Sequence, residues 1–251
     1  MAMKIKVLGC GEAFDDRYVN TSLLLESGGC KVLLDCGYSV PPQLWRSVED
    51  ASAIDLIYIS HAHADHYFGV PAVLGRMWEE GRTKPLILMS QPSVLDHIRQ
   101  LMDFGYTGLS ARFKYQIEYM PIQPGRTWEW KHLSFDFAPT RHAVSNLAIR
   151  VQTGGKTFCY SGDGTVTNET RALFTGADLV IHEAYRFEPL PIHADIPGLI
   201  QMAEEQRVRG LAFVHVQRDL RAKPERIHEA IAEARGRAIV SMPEPLSDFE
   251  V

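Results

Sequence analysis

Cysteine is scarce in this chain, and its four copies (Cys10, Cys30, Cys36, Cys159) show no C-x-x-C spacing. That excludes a thiolate zinc finger and a dithiol redox motif, and leaves buried, reduced thiols in a cytoplasmic protein as the expectation. Long apolar runs are also missing: none approaches the roughly 20 residues that span a bilayer, so no membrane partner is expected. The opening MAMKIKVLGCG lacks the apolar core of a secretory signal and goes straight into a strand pattern. Positive charge is not in excess. A formal net charge of -5 gives no overall attraction to nucleic acid, whose phosphates are met largely by Lys and Arg. Internal repeats, low-complexity tracts and long linkers are absent as well. The G-x-G of GCGEAF (9–14) follows a strand, but Phe14 stands where a dinucleotide loop needs its third glycine, so a tight turn is expected.

What remains is a folded chain of 251 residues with 45% hydrophobic content, enough for a sizeable core. Short strand-like runs alternate with helical stretches expected at about 69–80, 92–104, 195–208 and 224–234. Asp195 reads as the N-cap of the third, with Pro197 in its first turn. Several strands are apolar throughout, which suits sheets covered on both faces. The GG pairs at 28–29 and 154–155 read as hairpin turns. The expected class is α/β with mixed sheets (α+β), in one domain spanning 1–251. The tail MPEPLSDFEV is expected to lie along the surface.

The densest chemistry is SHAHADHYFG, Ser60 to Gly69, directly after the apolar run DLIYIS. Imidazole and carboxylate suit zinc and similar divalent ions where no thiolate is used. His61 and His63 lie two apart, so in extended backbone their side chains share a face. Asp65 and His66 follow where the chain must turn, and can aim at a neighbouring point. A chance cluster in a polar loop is the alternative, and a metal site needs ligands from elsewhere. Three candidates stand at or near strand ends: His142 after LSFDFAPT, Asp163 in FCYSGD and His215 in LAFVHV.

With these residues quoted, the chain resembles the metallo-β-lactamase superfamily over essentially its whole length. The resemblance implies a four-layer αββα sandwich with two divalent metals at one edge, between the sheets. It further implies that His61, His63 and His142 hold one metal, that Asp65, His66 and His215 hold the second, and that Asp163 bridges. Zinc is the expected metal, with manganese and iron also accepted by such ligands. Two ions about 3.5–4 Å apart lower the pKa of a bridging water and clamp the attacking and leaving oxygens, which suits hydrolysis. The iron–oxygen branch of the superfamily carries Glu at the place of His63, so redox chemistry is not expected.

The segments IHEAYRF (181–187), IHADIPG (192–198) and FVHVQR (213–218) resemble the ribonuclease Z branch. Catalytic roles are accordingly expected for Asp65, Glu183 and His193, with the last two relaying a proton to the leaving oxygen. His97, His132 and His228 are expected at the surface, and His182 packed inside or beside the site. Departures from the branch are clear. Tyr185 replaces a Thr, HAD replaces HST, Arg218 and Arg221 do not keep the usual Arg spacing, and the Pro-x-Lys-x-Arg-Asn loop is missing from 13–22. The stretch 143–162 is also too short for the arm that grips transfer RNA, unless a partner subunit of a homodimer supplies one. The expected function is therefore a metal-dependent phosphodiesterase acting on a small or nucleotide phosphodiester through a metal-bridging hydroxide. A thioester or lactone hydrolase, and a non-hydrolytic metal-binding role, are the alternatives.

Overall fold

The structure is a computed structural model that describes residues 2–234 and 238–251. Its first half runs β1 (Lys4–Gly9), β2 (Ser22–Ser27), β3 (Cys30–Leu34), α1 (Pro41–Ser47), β4 (Leu56–Tyr58), α2 (Ala64–Tyr67), α3 (Val70–Glu79), β5 (Leu86–Ser90), α4 (Pro92–Gly105) and β6 (Ile117–Pro121). The second half begins with β7 (Trp128–Trp130), β8 (Leu133–Pro139), β9 (Leu147–Thr153), β10 (Lys156–Tyr160), α5 (Asn168–Phe174) and β11 (Leu179–Glu183). It closes with α6 (Ile196–Glu205), β12 (Gly210–Val214), α7 (Arg218–Arg221), α8 (Glu225–Glu233), β13 (Ile239–Ser241) and β14 (Asp248–Glu250).

Two seven-stranded sheets result among the described residues, ordered β14-β1-β2-β3-β4-β5-β6 and β13-β12-β11-β10-β9-β8-β7. Each is mixed: β14 to β3 pair antiparallel and β3 to β6 parallel, while β7 to β10 pair antiparallel and β10 to β13 parallel. The hairpins β2–β3 and β9–β10 turn on the expected GG pairs, all four glycines having positive φ.

Strand alternation sorts the apolar residues into layers. Val7, Leu25, Leu34 and Tyr58 of one sheet meet Phe135, Ile149, Phe158 and Ile181 of the other in a shared core. The opposite face of the first sheet (Leu24, Leu33, Ile57) packs under Leu44 of α1, Val73 of α3 and Ile98 of α4. The opposite face of the second (Val180, Leu211, Phe213) packs under Phe174 of α5, Leu199 of α6 and Ile227 of α8. Three apolar layers between four structural ones make the αββα sandwich, and β4, β5 and β11 are buried along their whole length.

The helices sit close to their expected ranges, and Asp195 caps α6 through Gly198 N at 2.8 Å. Six elements were not expected, the four-residue helices α2 and α7 among them. The short α1 starts with two prolines in its first turn; α5 is opened by a reciprocal Thr167–Thr170 capping box; β7 is a three-residue edge strand. The tail forms β14, which pairs with β1 through Lys4↔Glu250 and Lys6↔Asp248. It is thus part of the sheet as well as surface. All four cysteines are free and buried. GCGEAF is a tight turn: a Cβ at Gly9 would strike the backbone of Val19 and Asn20, and one at Gly11 that of Tyr18.

Candidate metal centre

The sheets bring their chain ends together at one edge, and every expected ligand arrives there. After β4 the chain bends at Ala62, is extended at His63 (φ −94°, ψ 145°) and then turns into α2, which carries Asp65 and His66. His142 follows β8, Asp163 follows β10 and His215 follows β12. Two groups of ligand atoms form, His61–His63–His142–Asp163 and Asp65–His66–Asp163–His215, each within 4.8 Å of one another.

In the first group three ring nitrogens converge. His63 Nδ1 lies 3.1 Å from His61 Nε2 and 3.1 Å from His142 Nε2. One lone pair or one hydrogen on His63 cannot serve both neighbours, whereas a cation facing all three can. The outer nitrogens are already engaged: His61 Nδ1 with Ser60 Oγ at 3.0 Å, His142 Nδ1 with the Ile192 carbonyl at 2.9 Å. Burial pushes the His61 and His63 pKa values down, so both favour the neutral form that ligates metal.

The second group is richer in charge. His66 Nε2 sits 3.2 Å from Asp65 Oδ2 and 3.4 Å from Asp163 Oδ1, and His215 Nε2 lies 3.2 Å from Asp65 Oδ2. Burial opposes charging these rings, but the carboxylates outweigh it. His66 is pushed well up and His215 to about 9. Burial likewise opposes charge on Asp65 and Asp163, and the facing imidazoles nonetheless hold both carboxyls well down. His66 Nε2 and Asp163 Oδ1 are buried without a hydrogen-bond partner, which is costly unless a ligand completes them. The donors fit two divalent ions sharing Asp163.

Several residues that hold this site were not singled out from the sequence. Asp35 is fully buried and accepts from Ser60 N and Ser60 Oγ at 2.7 Å, from Tyr160 Oη at 2.7 Å and from His66 Nδ1 at 2.8 Å. It thereby fixes which nitrogen of His66 faces the metal side. Its φ of 58° is a left-handed backbone that an aspartate tolerates. Asn146 Oδ1 accepts from Asp163 N at 3.1 Å, and the Thr140 hydroxyl donates to the Asp163 carbonyl. The flanking glycines have φ of 60° (Gly162) and 111° (Gly164), and a Cβ on either would strike Asn146 and Ser60 or Thr140. A larger residue beside Asp163 would displace it. The only sequence signal was the Asp at the end of KVLLD and the glycine on each side of Asp163.

Glu183 and His193 meet beside the candidate ligands. The buried Glu183 carboxylate accepts from Gly164 N at 2.5 Å and lies 3.1 Å from His193 Nδ1 through both oxygens. Burial works against a charged His193, yet Glu183 outweighs it and raises the pKa. The His193 ring stacks on Tyr185, centroids 4.6 Å apart, and meets His142 edge-on at 5.0 Å. His182 is buried and packs against Phe174, away from the ligand atoms. Arg218 and Arg221 also have local partners: Arg218 pairs with Glu12 at 2.5 Å, and Arg221 lies over the Tyr18 ring and donates to the Pro243 carbonyl.

Above the ligands opens a cavity of about 320 Å³, lined by His63, Asp65, His142, Asp163, His193 and His215, with Glu12, Phe14, Tyr38 and Tyr185 at its sides. Two roomier clefts, one of about 530 Å³ that adjoins this cavity at Phe14 and one of about 580 Å³, hold none of the candidate metal ligands. Volume alone would therefore misplace the chemistry.

The family model of the Anti-Pycsar protein Apyc1 matches residues 3–231. The Anti-Pycsar protein Apyc1 of Paenibacillus harenae is 26% identical over 206 residues, covering 80% of this chain and 85% of that protein. A ribonuclease Z of Methanosarcina acetivorans is 23% identical over 270 residues, covering 85% of this chain and 87% of that one. Among solved structures, the metallo-β-lactamase fold protein YhfI of Bacillus subtilis superposes with a TM-score of 0.82 over 100% of both chains at 21% identity.

Proposed function

The chain belongs to the Anti-Pycsar protein Apyc1 family, and from that premise we propose a metal-dependent phosphodiesterase whose substrate is a small nucleotide phosphodiester, such as a cyclic nucleotide. The observation that carries this reading is the junction of two metal-ligand sets at Asp163, on the floor of a cavity of about 320 Å³. That volume is at the lower end of small-molecule sites, which run to roughly 300–1,000 Å³. Two divalent ions in these sets, zinc by preference, would polarise phosphoryl oxygens and activate water. Asp65, on the cavity lining, would both hold an ion and orient the attacking water by accepting a hydrogen bond from it. Glu183 orients the His193 ring through Nδ1 and favours its charged form, which leaves Nε2 to protonate the departing alkoxide. Neither a thioester nor a lactone hydrolase has the same need for that pair.

Transfer RNA is not the substrate we propose. Residues 143–162 are spent on β9, β10 and their turn, among residues that are all described, and this supports a site for smaller esters. The reading is tested by a panel of cyclic nucleotide, bis-aryl phosphate, thioester, lactone and precursor transfer RNA, each with and without a chelator. Chelator-sensitive hydrolysis of the phosphodiesters is expected. Turnover confined to the thioester or lactone would overturn it, and clean cleavage beside the acceptor stem would overturn the exclusion of transfer RNA.

A further inference from the structure

An aromatic residue stands exposed at the mouth of the cavity on a loop that is firmly tied. Phe14 is 77% exposed and lines both the metal-side cavity and the adjoining cleft of about 530 Å³. Its backbone N–H donates to Glu12 Oε2 at 2.9 Å, while Glu12, itself 1% exposed, is held through Oε1 by Arg218 at 2.5 Å. The next carbonyl, Ala13 O, accepts from the Tyr38 hydroxyl. Asp15 Oδ1 then accepts from Arg17 N at 2.9 Å and Tyr18 N at 3.0 Å. The phenyl ring is thus presented to solvent by a fixed backbone. Tyr38, 49% exposed, lines the same mouth. Apolar faces rimmed by polar groups beside a cavity mark ligand surfaces.

We infer that Phe14, with Tyr38 beside it, is the platform on which the nucleobase of the substrate stacks while its phosphodiester lies over the metal ligands. This rests on the nucleotide reading of the previous section. Glu12 and Arg218 are positioning residues, since they act on the base only by fixing the Phe14 backbone. Every base offers a π face, so the platform selects for the presence of a base and discriminates weakly among bases. Purines, with the larger face, gain more than pyrimidines.

The test compares cyclic nucleotides with the abasic cyclic sugar phosphate, followed by chromatography of the products on metal-loaded protein. Phe14→Ala should raise KM for cyclic nucleotides about 5- to 150-fold, the span that loss of one stacked base gives, with kcat kept and metal content unchanged. KM for the abasic diester should not move, and Phe14→Trp should restore the cyclic-nucleotide KM. If the wild type hydrolyses cyclic nucleotides and Phe14→Ala leaves KM unchanged, the platform is wrong and the nucleotide reading survives. An equal loss on the abasic diester together with a changed mass in solution assigns Phe14 to a subunit contact instead. A wild type that hydrolyses the abasic diester and no cyclic nucleotide overturns both.

Discussion

The two candidate ligand sets that meet at Asp163 use the same residue types but differ in charge state, one holding neutral imidazoles and the other internal ion pairs. His61, His63 and His142 converge as nitrogens, and burial keeps the first two neutral. Asp65, His66 and His215 instead neutralise one another, with raised imidazoles facing depressed carboxyls. Their supports differ too. The first set is oriented by Ser60 Oγ and a backbone carbonyl, the second by the buried Asp35 carboxylate. A nitrogen set presents open lone pairs, whereas a carboxylate set must exchange its internal ion pairs for a cation. One motif of six residues thus contributes two residues to each of two chemically different half-sites.

The largest expected effect comes from removing what the sets share. Asp163→Ala should release both ions, taking metal content from about two per chain to near zero, and abolish phosphodiester hydrolysis. Elemental analysis of protein purified without chelator reads this directly. Retention of one full equivalent would show that the sets are independent. Next, His61→Ala and His66→Ala separate the halves. Each should leave about one ion, and hydrolysis that needs two ions should fail in both. Loss of both ions in either variant would mean that one set cannot be filled alone.

His193 packs edge-on against His142 but gives no ligand atom to either set, so metal content and fold should persist in His193→Ala. Turnover of an alkyl-leaving diester should drop about 10²- to 10⁴-fold, the usual worth of a general acid. A diester with a nitrophenolate leaving group needs no proton and should lose little. Equal losses on both esters, or loss of metal, would remove the acid role. The smallest effect is expected from Asp35→Asn, which keeps a residue that tolerates φ of 58° but removes the charge and turns one acceptor oxygen into a donor amide. Metal affinity of the carboxylate-rich set should fall about 10- to 100-fold, while that of the nitrogen set, which Asp35 reaches only through Ser60, should fall less. Competition titration with a chelating dye distinguishes the two.

The sequence made the candidate ligands legible because most of them are concentrated in one motif. HAHADH is contiguous, and His142, Asp163 and His215 each stand just past a strand that its apolar residues announce. The same apolar runs implied mixed sheets covered on both faces, while the four-layer order came only from the family resemblance. Asp35, Asn146 and Thr140 were not legible, because their roles exist only across the fold: Asp35 reaches His66 and Tyr160, and Asn146 reaches Asp163. Short elements failed for a different reason. The strands β7 and β14 are three residues each, too brief to show a period, and they exist because β8 and β1 offer edges to pair with. The helix α5 starts on a Thr–Thr box, where Glu or Gln is the usual third-position partner. The platform loop was read only as a tight turn, since the exposure of Phe14 depends on Glu12, Arg218 and Tyr38.

The most direct test of the account is an anomalous-scattering crystal structure of the zinc-loaded protein. It should show two ions about 3.5–4 Å apart, both bound by Asp163, one completed by His61, His63 and His142 and the other by Asp65, His66 and His215. A single ion at full loading, or two ions of which one makes no bond to Asp163, would contradict it.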